Sequence, residues 1–217
     1  LVATNMLTDR KSDTWRSTGG TATITMTFAS AEFVGCVATP FCNLTSAATF
    51  RVRTYTEVAD VTPVIDTGVV QACASTPLGL WEWGNVPLGV NAYSYGGANY
   101  GRAWFATNPV KKIVIDIVDS TNPVGYIEMS RMVAGAYFIP ERNAELDANW
   151  EVLEASKSER NDATDLITDI GGKSKKITFN LQHMSPADRN SVTNILKGNG
   201  VAKPMFISLF PDDDDTS

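Results

Sequence analysis

Lys111-Lys112-Ile113-Val114-Ile115-Asp116-Ile117-Val118-Asp119, then Ser120-Thr121-Asn122-Pro123-Val124, then Gly125-Tyr126-Ile127-Glu128-Met129-Ser130-Arg131, is the stretch that decides the fold. Ile113, Ile115 and Ile117 recur with period two, as do Ile127 and Met129. Each run therefore turns one face to a core and the other outward, as extended strands do. Asn122-Pro123 and Gly125 place turn-forming residues between the runs. The stretch predicts a β-hairpin near the end of a sandwich domain that closes at about Pro140, and no catalytic motif accompanies it.

Working outward, Thr21-Ala22-Thr23-Ile24-Thr25-Met26-Thr27-Phe28 alternates threonine with apolar residues, the pattern of a half-buried antiparallel strand. Glu32 to Val37 and Ala47 to Thr56 predict further strands, the latter with Phe50, Val52 and Thr54 facing one way and Arg51, Arg53 and Tyr55 the other. Residues 81–101 form a long insertion carrying five aromatics among five glycines. A loop of that length commonly has a job or is pinned by its own side chains.

After Pro140 the composition turns polar. Residues 141–172 predict a linker, a short strand from Trp150 and a polar loop from Lys157 to Asp165. Alternation resumes from Lys175 to His183, with Ile177, Phe179 and Leu181 on one face. Ser185 can cap a helix that has Pro186 in its first turn, Asp188 at its positive end, Val192, Ile195 and Leu196 as its stripe and Gly198 at its end. A strand from Pro204 to Phe210 follows. The fold class is mainly β: a sandwich over residues 1–142 with a small α+β extension over residues 143–217.

The 217 residues suffice for a sizeable core, and no run reaches the ~18 apolar residues of a membrane span. A formal charge of −6 and a pI near 4.8 argue against a nucleic-acid partner, which wants clustered Lys and Arg. Four of the negative charges are Asp212 to Asp215, a solvated acidic end. The N-terminus lacks a secretory-signal pattern. Cys36, Cys42 and Cys73 contain no CxxC, and an odd count does not make a disulfide framework. They read as reduced core residues, with a Cys36–Cys42 bridge as the alternative.

His183 is the single histidine, and it falls on the alternating face with Phe179 and Leu181, as a core or strand-end residue would. No nucleophile elbow, P-loop, dinucleotide fingerprint or zinc-protease motif is present, so no enzymatic activity, cofactor or metal is expected. Asp116, Asp119 and Glu128 would come near one another in the hairpin, but charges on an outer strand face guard against aggregation as readily as they catalyse. A calcium site on Asp119 and Asn122 lacks a loop signature. Asn43-Leu44-Thr45 reads as a chance sequon. The binding candidates are Trp81, Trp83, Tyr93, Tyr95, Tyr100 and Arg102, because aromatics and arginine concentrate interface energy and flat rings stack on sugars. Self-packing of the insertion, a protein contact and a glycan contact all fit that composition.

Leu7-Thr8-Asp9, Asp13-Thr14-Trp15-Arg16-Ser17-Thr18, Asn43-Leu44-Thr45, Ala48-Thr49-Phe50-Arg51-Val52-Arg53 and Asn122-Pro123-Val124-Gly125-Tyr126-Ile127-Glu128, with Arg131 and Gly135, together resemble galactose-binding-like jelly-roll domains. They look most like those of minor structural proteins of tailed-bacteriophage tails, over roughly residues 5–142. The part from Trp150 to Pro211 looks like the end of a distal-tail or baseplate protein. The resemblance implies a virion component, assembled in the host bacterial cytoplasm as a cyclic oligomer of copies of itself that links tail tube to tip proteins. The alternative it implies is a carbohydrate-binding module for host-surface glycans. No sugar-binding residue set of the family maps onto this chain, and fold alone does not license that function.

Overall fold

β2 (Thr21–Cys42) and β6 (Asn99–Val118) are the long strands on which the sandwich is built. They pair antiparallel from Thr21 opposite Val118 to Cys42 opposite Asn99. At 22 and 20 residues they far exceed the usual strand of roughly 3–10. Strands that long must bend, and register shifts at Thr27/Glu32, Val34/Cys36 and Thr39/Cys42 supply the bends. The computed structural model describes residues 3–8, 10, 12–73, 99–142, 149–160, 162–181, 183–200, 203 and 205–208.

The bend makes two layers. In the first, residues 21–27 of β2 and 112–118 of β6 lie beside β3 (Thr49–Tyr55), which also pairs with β4 (Ile65–Asp66) and β5 (Val70–Gln71). In the second, the start of β6 and the end of β2 lie beside β7 (Glu128–Gly135) and β1 (Trp15–Arg16). Ala72 ties the layers together: its N–H donates to the Ala48 carbonyl at 2.9 Å and its carbonyl accepts from the Arg102 N–H at 2.8 Å.

Ile24, Phe50, Val52, Ile113, Ile115 and Ile117 of the first layer and Val37, Ala103, Phe105 and Met129 of the second fill the core, with Leu44 and Ile127 from the connections. Their period-two spacing creates the apolar inner faces, and burial of such side chains is worth roughly 1.5–3 kcal/mol each. The layers approach closely at Gly101, where a Cβ would stand 2.9 Å from Thr39 Oγ1 and 3.0 Å from the Phe50 ring. The expected fold class, mainly β and built as an antiparallel sandwich with one C-terminal helix, is the fold observed.

The hairpin is not. β6 and β7 do not pair with each other, because β6 has β2 on one edge and β3 on the other, and β7 takes the edge of β2 that β6 leaves open. The strands predicted at 21–28 and 32–37 are one bent strand.

Residues 138–203 form a second compact unit. β8 (Asn149–Glu154) pairs with β11 (Lys173–Thr178), and β9 (Lys157–Arg160) pairs with β10 (Leu166–Asp169). The expected polar loop from Lys157 is thus the start of a hairpin. Strand β11 stops at Thr178 rather than reaching His183, which lies exposed in a turn and not in a core. Helix α1 (Pro186–Asn199) starts as predicted: Ser185 Oγ accepts from the Asp188 N–H at 3.2 Å. It ends at Gly200 instead of Gly198, since Gly200 adopts the positive φ of 57° that glycine tolerates. Residues 205–208 are not strand.

Candidate functional site

Three connections of the sandwich meet at the end where the two layers are tied. The Asn43-Leu44-Thr45 connection leaves β2, residues 119–127 leave β6, and Gly20 precedes β2. Asp119, 1% exposed, anchors them. Its carboxylate accepts from the Thr45 N–H at 2.9 Å, the Thr45 hydroxyl at 2.7 Å and Asn122 Nδ2 at 3.0 Å. Its own N–H donates to the Gly20 carbonyl at 2.7 Å. With three donors on two oxygens, this carboxylate is satisfied by the protein and acts as a structural clamp. Asn43 is equally committed. Its Nδ2 donates to the Tyr126 carbonyl at 2.9 Å and its Oδ1 accepts from the Glu128 N–H at 2.8 Å, so the sequon asparagine is a connector.

Beside this clamp lies an open cleft of about 190 Å³ lined by Thr14, Phe41, Cys42, Asn43, Glu128, Met129 and Ser130. β7 supplies Glu128 and Ser130, and the end of β2 supplies Phe41 and Cys42. Ser130 is 3% exposed, and its Oγ has no hydrogen-bond partner among the described residues. Buried hydroxyls are normally paired, which makes this one an exception in the wall of the cleft. Glu128 accepts from Arg16 Nη2 at 2.9 Å, and the Arg16 guanidinium also stands 4.3 Å from the Tyr126 ring centroid. The cleft is thus lined by a carboxylate that can accept, by Ser130 and by an apolar wall.

Of the predicted site residues, Trp81, Trp83, Tyr93 and Tyr95 lie outside the described residues. Tyr100 and Arg102 alternate with buried Gly101 and Ala103 on β6, and both are half-buried on the outward face. The Arg102 guanidinium stands 5.8 Å from the Tyr100 ring. Phe206 packs against Tyr100 at 5.7 Å and Trp104 at 6.4 Å, and Tyr137 meets Trp104 edge-on at 5.5 Å. Among the described aromatics of this face, then, ring meets ring within the protein.

The carboxylates expected to converge do not. Asp116 accepts from Arg53 and Thr23, Glu128 from Arg16, and Asp119 is buried in its clamp. Among the described residues no group of three or more His, Cys, Asp or Glu could hold a metal. Cys36 lies opposite Trp104 and Cys42 opposite Asn99, and all three cysteines are thiols, with no Cys36–Cys42 bridge. Sequence reasoning missed Thr14, Phe41, Ser130 and the cleft role of Glu128. Their meeting depends on pairings between distant parts of the chain, 85 residues apart for Asn43 with Glu128 and 112 for Arg16 with Glu128, which no local pattern announces.

Fold and site define an antiparallel β-sandwich with a small ligand-sized cleft on one end of its second layer. No protein-family model and no curated protein matches the chain. Among solved structures, the chain is similar to the CBM32 domain of AlyQ in complex with 4,5-unsaturated mannuronic acid. The identity is 17%, the coverage 62% of this chain and 85% of that one, and the TM-score 0.39. It is also similar to a truncated AlyQ with CBM32 and alginate lyase domains, at 18% identity, 64% and 30% coverage and a TM-score of 0.36. Likenesses this distant carry no functional argument, and the sandwich rests on its own strand pairing.

Proposed function

We propose that this chain is a non-catalytic binding module whose ligand is a carbohydrate, held one ring at a time in the cleft between the end of β2 and the start of β7. The observation that carries this reading is the cleft lining itself, which combines the Glu128 carboxylate, the Phe41 ring and Ser130, whose hydroxyl has no partner among the described residues. A sugar ring needs donors and acceptors for its hydroxyls and an apolar surface for its C–H face. At about 190 Å³ the cleft is smaller than the roughly 300–1,000 Å³ of drug-sized sites, which suits a single ring or the end of a chain. Cys42, which lines the cleft, pairs with Asn99, so the aromatic-rich insertion rejoins the sandwich beside it.

A glycan array with the intact chain tests the reading. Retention of a defined set of saccharides, lost on Ser130→Val and on Glu128→Gln while the fold is kept, supports it. No retention on any saccharide overturns it.

A second reading has its own observation. The β8–β11 and β9–β10 ribbons have two strands each, and paired strands alone are marginal in water. They expose Val152 (66%), Leu166 (60%) and Ile167 (59%). Exposed apolar strands of that kind suit assembly with further copies, as the resemblance to tail-ring proteins implies. Sedimentation separates the cases: a closed oligomer supports assembly through the second unit, and a monomer at every concentration tested opposes it.

A further inference from the structure

Cys42 and Cys73 meet at the root of the cleft, brought there by backbone pairing. Cys42 ends β2 opposite Asn99, and Thr39, three residues earlier, receives the Gly101 N–H on its hydroxyl at 3.2 Å. Arg102, next along β6, donates its N–H to the carbonyl of Ala72, which places Cys73 against the same corner. Cys73 is 2% exposed within the core cluster. The Cys42 sulfur accepts from the Thr39 hydroxyl at 3.7 Å, and Cys42 is one of the residues that line the open cleft. One residue of the pair is therefore partly exposed beside a solvent-connected space while the other is buried behind it.

We propose that Cys42 and Cys73 are a redox dithiol that closes to a disulfide on exposure to a low-molecular-weight disulfide. The Cys42 thiolate attacks one sulfur of the oxidant, whose S–S bond breaks and releases one thiol. The Cys73 thiolate then displaces the second thiol from the mixed disulfide. Two protein thiols are oxidised, one small disulfide is reduced to two thiols, and the two protons leave on those products.

The environments assign the roles. The Cys73 thiol, followed by backbone N–H groups of Leu44 and Gly101 and the Thr39 hydroxyl, hydrogen-bonds to the Cys42 sulfur and draws its pKa below the ordinary value, against the opposing effect of burial. The thiolate is the attacking species, so this lowering favours Cys42 as the entry point. Cys36 is the contrasting case. Burial pushes its thiol up to about 12, with the nearby Arg102 only partly opposing, and it stands opposite Trp104 rather than at the cleft. The bridge would join the end of β2 to the chain leaving β5, enclosing β3, β4 and β5 in one covalent loop and restricting the unfolded chain.

The test is incubation of the folded, full chain with oxidised glutathione, followed by denaturation, thiol counting and fragment mass spectrometry. The reactive thiols are expected to fall from three to one, with Cys42 linked to Cys73 and Cys36 unmodified. The thermal midpoint of the oxidised chain should lie above that of the reduced chain. Cys73→Ala should stop at a glutathione adduct on Cys42, and Cys36→Ala should still form the bridge. Three thiols still reactive after prolonged incubation, or a bridge involving Cys36, overturns the proposal. The readout does not depend on carbohydrate binding, so it stands or falls separately from that function.

Discussion

Asp119 grips Thr45 twice, accepting from its backbone N–H at 2.9 Å and from its hydroxyl at 2.7 Å across 74 residues of sequence. This contact fixes the connection after β2 against the end of β6, and through Asn122 Nδ2 and the Asn43 carbonyl it continues to the wall of the cleft. The site is therefore held by the same network that closes the sandwich.

Asp119→Ala removes the acceptor of the Thr45 N–H and hydroxyl and one of the two acceptors of Asn122 Nδ2. Charge-assisted hydrogen bonds contribute about 1.5–3 kcal/mol each, so the variant should lose on the order of 3 kcal/mol in urea unfolding. A loss below 0.5 kcal/mol would show that water replaces the clamp at no cost.

Asn43 cannot carry a glycan while its amide holds Tyr126 and Glu128. Expression in a glycosylating host should give folded protein with no added mass at Asn43. Asn43→Ala should cost about 2 kcal/mol by chemical denaturation and weaken ligand binding as the Glu128 backbone loosens.

Gly101→Ala tests the close approach of the layers, because the new methyl would press on Thr39, Phe50 and Leu44. Overpacking of this kind costs about 1–3 kcal/mol. Ile115→Ala, in the middle of the same core and 0% exposed, should cost about 2–5 kcal/mol by leaving a cavity. Both are read from denaturation midpoints.

The pH dependence has a defined window. The hydrogen bond from Arg51, with a further one from the Gly68 N–H, lowers the Asp66 carboxyl from 3.8 to about 2. A depressed folded pKa gives stability that is present above the unfolded value of 3.8 and is lost as the pH falls toward about 2. Asp66 is exposed, and the energy is correspondingly screened. Asp66→Asn should lower the unfolding midpoint slightly at neutral pH and match the unmodified chain near pH 2.

Strand faces were legible because they are local: Ile113, Ile115 and Ile117 declare their burial by spacing alone, and all three are fully buried. Helix α1 was legible because Ser185 and Pro186 mark its start chemically. Pairing was not, since nothing in Lys111 to Arg131 says that β6 already has β2 and β3 as neighbours. The cleft was hidden for the same reason. Asn43 and Glu128 are 85 residues apart, and each reads as an ordinary polar residue until β2 and β7 bring them together. The aromatic insertion drew attention by composition, and of its candidates the described pair, Tyr100 and Arg102, stands beside the cleft's strand rather than within its lining.

The most direct measurement is an amide chemical-shift titration of the isotope-labelled chain with the saccharides retained on an array. Binding in the cleft predicts saturable shifts concentrated at Thr14, Phe41, Asn43, Glu128 and Ser130, abolished by Ser130→Val with the remaining spectrum unchanged. Saturable shifts that bypass these residues, or none with any saccharide at millimolar concentration, would contradict the carbohydrate-binding account.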